Sequence, residues 1–218
     1  KEGDHLILCH HCNVLTIATH DHAVREVVVA CQYAGIPATD RFPLPFATLD
    51  PSPTGKITRQ TGDIMVCQQG FQKEMLDMRL THPINVDVRN GNYVEKGQAN
   101  KRASQEKIRR HGEKCARVGV KFQPLCIDTL GSWGDSTIQW FDGVISAAAD
   151  TKNIPFCAVK TYWNRRVGIA VQRGVAQAMI ARLAKAKAGQ RFQRDEAADD
   201  SVVLKQGKSS GSAAAANI

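Results

Sequence analysis

The feature that most limits what this chain can become is an apolar stripe near its end. Over residues 164–188, Val167, Val171, Val175, Met179 and Leu183 recur at every fourth position, flanked by Ile169, Ala176 and Ile180. Side chains four apart share one face of an α-helix, so the stripe predicts a long amphipathic helix laid against a core, not a cofactor site. At 218 residues with 43% hydrophobic content, the chain can build one sizeable core, and a wholly disordered chain is excluded. No run approaches the ~18 consecutive apolar residues of a membrane span, and no basic-then-apolar signal segment opens the sequence. The first residue is Lys rather than Met, which reads as a piece of something longer.

Periodicity divides the remainder. Residues 21–33 (DHAVREVVVACQY) predict a helix stopped by Gly35, with Asp21 as its N-cap. Residues 36–61, rich in Pro, Thr, Asp and Gly, read as a loop. Residues 63–67 (DIMVC) and 74–80 (EMLDMRL) read as two strands joined around Gly70. After a polar loop from 83, residues 99–118 form a charged helical pattern, 122–128 (FQPLCID) a strand ended by Gly131, and 136–149 a helix. From Gln190 onward Ala, Ser, Gly, Asp and Gln predominate, which predicts a disordered tail. The order is helix, strands, helix, strand, then two helices: an α/β chain without internal repeats.

The net charge of +8 is unevenly spread. Residues 151–194 carry ten Lys and Arg and no acid. On the predicted helix Arg166, Arg173 and Lys187 project away from the stripe, as a cationic ridge. Such a block suits a polyanion, because each Lys or Arg at a phosphate releases condensed counterions. It equally suits a solvated face that keeps the protein soluble. Trp133, Trp140, Phe141, Tyr162 and Trp163 would stack on bases if exposed; with aromatics at only 6%, core packing is the stronger expectation. Seven scattered cysteines do not form a secreted disulfide framework and point to a reducing intracellular compartment. There is no Gly-rich phosphate loop and no nucleophile motif, so a small-molecule enzyme lacks support.

Two carboxylates stand out. Asp63 opens one predicted strand and Asp77 lies in the next. On neighbouring strands they would converge on one hard divalent cation, which prefers oxygen ligands. Arg79, two residues beyond Asp77, points to the same face and would neutralise charge on a phosphate. A turn Asp and an ion-paired Asp explain the same residues without chemistry, and both readings stay open here.

Gly3-Asp4-His5 leading to Cys9, His20-Asp21 at a helix start, Gly62-Asp63 followed by Leu76-Asp77, a helix carrying Lys107 and His111, Phe122-x-Pro124, Thr129-x-Gly131 and Asn164-Arg165-x-x-Gly168 occur in this order. Together they resemble the restriction-like endonuclease domain of non-LTR retrotransposon polyproteins, a variant of the PD-(D/E)XK nuclease superfamily, over about residues 3–185. The resemblance implies a restriction-endonuclease-like mixed central sheet flanked by helices, core order α-β-β-β-α-β, with further C-terminal helices. It implies a remnant of a zinc-knuckle-like segment over 1–18, a nuclease-like domain over 19–188 and a tail over 189–218. It implies metal-dependent nicking of DNA, with Asp63 and Asp77 holding Mg²⁺ or Mn²⁺, and a linked reverse transcriptase in the nucleus.

The superfamily's usual lysine position holds Arg79, and Lys107 would take over its role, with Lys101 and Arg110 as substitutes. Thr19-His20-Asp21 matches a family triplet whose first member is basic; His20 either orients a phosphate or metal-bound water, or is a structural histidine. His5 and Cys9 would be the last two ligands of a Cys-Cys-His-Cys zinc knuckle begun upstream. Arg165, Arg166, Arg173, Lys101 and Arg110 are the candidate DNA contacts. The competing function is a catalytically decayed nuclease fold kept as a nucleic-acid-binding module.

Overall fold

A computed structural model describes residues 13–43, 61–67, 73–82 and 97–209. His5, Cys9 and the expected turn around Gly70 lie outside the described residues. The elements run α1 (Asn13–Tyr33), β1 (Ala38–Pro43), β2 (Thr61–Val66), β3 (Glu74–Thr81) and α2 (Gln98–Lys107), which passes through a π-helical turn (Ile108–Gly112) into α3 (Glu113–Arg117). β4 (Lys121–Asp128), α4 (Asp135–Lys152) and α5 (Phe156–Ser209) follow. The chain divides into two compact units, Lys1–Ala178 and Met179–Ile218.

The first unit is a mixed α/β structure on one four-stranded sheet in the order β1-β2-β3-β4. β1, β2 and β3 pair antiparallel, while β4 runs parallel to β3 after the α2–α3 crossover. Alternation along the strands sorts two faces. Ile64, Val66, Leu76, Met78, Leu125 and Ile127 join the main core with α1, α4 and α5, where Phe141, Ile145, Trp163, Val167 and Val171 are fully buried. Met75 on the opposite face packs with Cys115 and Val120 beneath α3.

The strands over 63–67 and 74–80, the strand over 122–128 and the helix over 136–149 all form, with small shifts at their ends. Four expectations change. Asp21 is no N-cap: α1 begins eight residues earlier, because nothing between 13 and 21 breaks a helix, neither Pro nor Gly. β1 forms inside the expected 36–61 loop; it is an edge strand, largely exposed, so it lacks the apolar alternation that marks a strand in sequence.

α5 starts at Phe156 and continues to Ser209, through much of the expected disordered tail, where Ala, Gln, Arg, Glu and Lys are good helix formers. The predicted stripe is buried at Val167 and Val171 and half-buried at Val175. Ile180 and Leu183 in the second unit are exposed. The first half of the stripe is buried because Val159, Trp163, Val167 and Val171 of α5 join the core of the first unit. Among the described residues no helix is long and apolar enough to cross a membrane.

Candidate active site

The site forms where two strands part. The β2–β3 register sets Ile64 opposite Leu76, and continued by one step it sets Asp63 opposite Asp77. Directly opposed residues have Cβ atoms about 5 Å apart, so two aspartates there are forced together. At this step a side chain replaces the ladder: the Met78 amide donates to Asp63 Oδ2 at 2.7 Å. On the other side of β2, Gly62 leaves room for the Phe42 ring of β1, since a Cβ there would lie 2.2 Å from it.

α2 delivers the cation. Lys107 Nζ donates to Asp77 Oδ2 at 2.7 Å, with both side chains largely shielded from water. The following π-helical turn puts His111 beside it, Nε2 lying 3.8 Å from the same oxygen. The extra residue in a π turn re-aims the side chains around it, and such turns recur at functional sites. From the other side α1 delivers His20. Its Nε2 faces Asp63 Oδ2 at 3.2 Å and the Met78 carbonyl at 3.3 Å, while Nδ1 faces Asp21 Oδ1 at 3.3 Å. All three neighbours accept hydrogen bonds, so the ring is suited to donating from both nitrogens.

The charges respond to this crowding. Burial pushes the Asp77 carboxyl up to about 6; Lys107 opposes the rise and the facing Asp63 carboxylate adds to it. Burial also works against the Asp63 carboxylate, but the hydrogen bond and charge of His20 prevail and hold it below its usual range. His20 is the complement: burial lowers it, yet Asp63 and Asp21 raise it above an ordinary histidine. Burial and the charges of Lys107, Arg110 and Lys114 push His111 down to about 4. The cluster thus holds an Asp63 kept ionised, an Asp77 that takes up a proton more readily than an ordinary carboxylate, and two histidines shifted in opposite directions.

Of the residues expected in the site, the structure brings together Asp63, Asp77, Lys107 and His20. Arg79 shares the face of Asp77 but pairs with Glu106 at 2.6 Å, away from the carboxylates. Lys101 and Arg110 are exposed, and among the described residues Lys107 is the one of these three that pairs with Asp77. Thr19 is 4% exposed, wedged where a Cβ on Gly174 would come within 2.4 Å of it. A long basic side chain has no room there. Arg41 of β1 instead reaches Asp21, a residue that sequence reasoning missed because its strand was hidden. Arg165 and Arg173 are exposed, whereas Arg166 is tied to Glu26 at 2.8 Å and lies over the Trp163 ring. Of the aromatics, Trp163 and Phe141 are core; Trp133 and Trp140 are half-buried, and Tyr162 is exposed.

Among the described residues no group of three or more His, Cys, Asp or Glu side chains forms a metal cage. Mg²⁺ does not need one: it keeps several waters and takes one or two carboxylates plus substrate phosphate. The facing Asp63 and Asp77, whose mutual repulsion a divalent cation would relieve, fit that donor set. Neither family models nor curated proteins give any match to this chain.

Proposed function

We propose that the chain is a metal-dependent DNA endonuclease of the PD-(D/E)XK kind, specifically a restriction-like endonuclease domain of a non-LTR retrotransposon polyprotein. The observation that carries the reading is the meeting of Lys107 with Asp77 at 2.7 Å, one step across the sheet from Asp63. The element order α1-β1-β2-β3-α2-β4 supports it as well. Asp63 and Asp77 would hold Mg²⁺, which when bound polarises a phosphoryl oxygen and lowers the pKa of an attacking water. His20 and the Met78 amide fix the Asp63 carboxylate, so its orientation does not depend on substrate. Lys107 places a positive charge where negative charge grows on the phosphate, in a site partly closed to water where that charge acts strongly. The linked reverse transcriptase and the nuclear location belong to the same proposal.

The test is nicking of supercoiled plasmid. The wild-type chain should yield open circles in Mg²⁺ and none in EDTA. Asp77→Ala should abolish nicking while DNA binding stays intact or tightens, because a charge repelling phosphate is gone. Nicking that survives Asp77→Ala or EDTA would overturn the reading. DNA binding with no nicking by the wild type would establish the alternative, a decayed nuclease fold retained as a nucleic-acid-binding module.

A further inference from the structure

A cleft of about 480 Å³ opens beyond the C-terminal end of β4, away from the acidic cluster, and the nicking chemistry makes no use of it. Its walls are Trp133, Ile138, Phe141, Asp142, Lys160 and Asn164, with Gly97 at the start of α2 on its rim. The volume lies within the ~300–1,000 Å³ typical of small-molecule sites and has room for a nucleobase with its sugar.

The wall is built rigidly. Asp128 Oδ1 accepts from the amides of Leu130 at 2.9 Å and Ser132 at 2.8 Å, and the Asp128 amide donates back to the Ser132 carbonyl at 2.8 Å. Asn100, 1% exposed, ties the same carbonyl to α2 and accepts the Thr81 hydroxyl at 2.6 Å. Trp133 is then fixed by a β-bridge to Ile127 and by its ring against Phe141, centroids 5.0 Å apart. A half-buried indole held this firmly loses little freedom on binding a flat ligand. The loop around Gly131 and the start of the 164–168 segment, both singled out in the sequence and unused by the acidic cluster, converge on this cleft.

Charge selects among flat ligands. The lining carries Asp135, Asp142 and Lys160, and Lys160 is already bound to Asp142 at 2.7 Å. One carboxylate more than the cations present disfavours a phosphate. Carboxylate and amide groups instead match the amino and ring-nitrogen edges of bases, as Asp does for the cytosine amino group and Asn for adenine. Resting on the endonuclease reading above, we infer that this cleft takes up one unpaired nucleobase, preferably one bearing an amino group, from the DNA being nicked. Gly97, which caps the start of α2, and Lys107 at its end lie ten residues apart, which places that rim of the cleft about 15 Å from the lysine backbone along the helix axis. At ~3.4 Å per stacked nucleotide, that is roughly four nucleotides from the phosphate to be cut.

The experiment measures binding to three duplexes of one sequence in EDTA, so that no strand is cut: fully paired, with a single bulged cytosine, and with a bulged abasic site. Stacking of one base is worth enough that the bulged cytosine should bind about tenfold tighter than the paired duplex, and the abasic bulge should not. Ile138→Trp, which fills the cleft, and Asn164→Ala, which removes the amide, should each bring the ratio toward one, with folding checked by circular dichroism. Equal affinities for the wild type, or a preference that survives both variants or the abasic bulge, would overturn the inference. Its failure is distinct from that of the endonuclease reading. Plasmid nicking without a bulge preference removes the cleft and leaves the nuclease, whereas a base-dependent preference without nicking does the reverse.

Discussion

Asp77 is placed where its charged form is costly, and the consequences can be measured one residue at a time. Its carboxyl is raised to about 6 by burial, against an ordinary value near 4. The folded chain therefore holds a proton there that the unfolded chain has lost. This contribution to stability is present below about pH 4 and is lost as pH rises through 6. His111 works in the opposite sense: lowered to about 4, it contributes stability above about pH 6.5 that is lost as pH falls through 4. Asp77→Asn should accordingly melt at a higher temperature than the wild type at pH 8 in EDTA. It should also lose stability more steeply between pH 6 and 4, where Asp77 no longer offsets His111. Thermal melts across that range check both signs. For catalysis, Lys107→Ala should slow nicking by ~10²-fold, the usual cost of removing one transition-state donor, and Lys101→Ala should have little effect. Equal losses in single-turnover assays would show that Lys107 is not the acting lysine. Lys107 could be picked out in the sequence only through the family pattern, because its helix carries many cations and composition does not rank them.

Among the elements, α5 changes most between sequence and structure. The ten-charge block of residues 151–194 suggests a continuous cationic ridge, but Glu26 on α1 neutralises Arg166. Arg165 and Arg173 remain exposed in the first unit. If the ridge meets DNA, Arg173→Gln should reduce the slope of log affinity against log salt by ~0.9, the share of one phosphate contact. Arg166→Gln should leave the slope unchanged while lowering the melting temperature. The same slope in Arg173→Gln and the wild type would move the DNA path to the helix carrying Lys107. The acid that cancels Arg166 lies 140 residues away in sequence, beyond the reach of a local charge count. β1 was hidden for a related reason. An edge strand pairs on one side and faces water, so ATDRFP carries no apolar alternation, and the contribution of Arg41 to the site was hidden with it.

At the scale of the first unit, α1 and α5 approach at Thr19 and Gly174 with no space to spare. Gly174→Ala should destabilise the fold by ~1–3 kcal/mol through overpacking, read from urea unfolding; a change near zero would show that the helices can part without cost. The same contact leaves no room for a long side chain at Thr19, which is buried between the two helices. Local pattern determined much of the molecule. Strand-like runs marked β2, β3 and β4, fourfold spacing marked the buried part of α5, and the two aspartates fell on predicted strands, Asp63 at the start of one and Asp77 within the next. Those signals are local, each set by the chain's own periodicity and by which side chains must leave water. Tertiary structure alone decided that β2 and β3 separate just where two carboxylates face each other. It also brought His20 from one side and Lys107 from the other, and used Arg79 and Arg166 in ion pairs away from the acids. The His20, Lys107, Arg79 and Arg166 contacts join residues 27 to 140 positions apart, and chain periodicity carries no information over such distances. They follow from how the helices cover the two faces of one sheet.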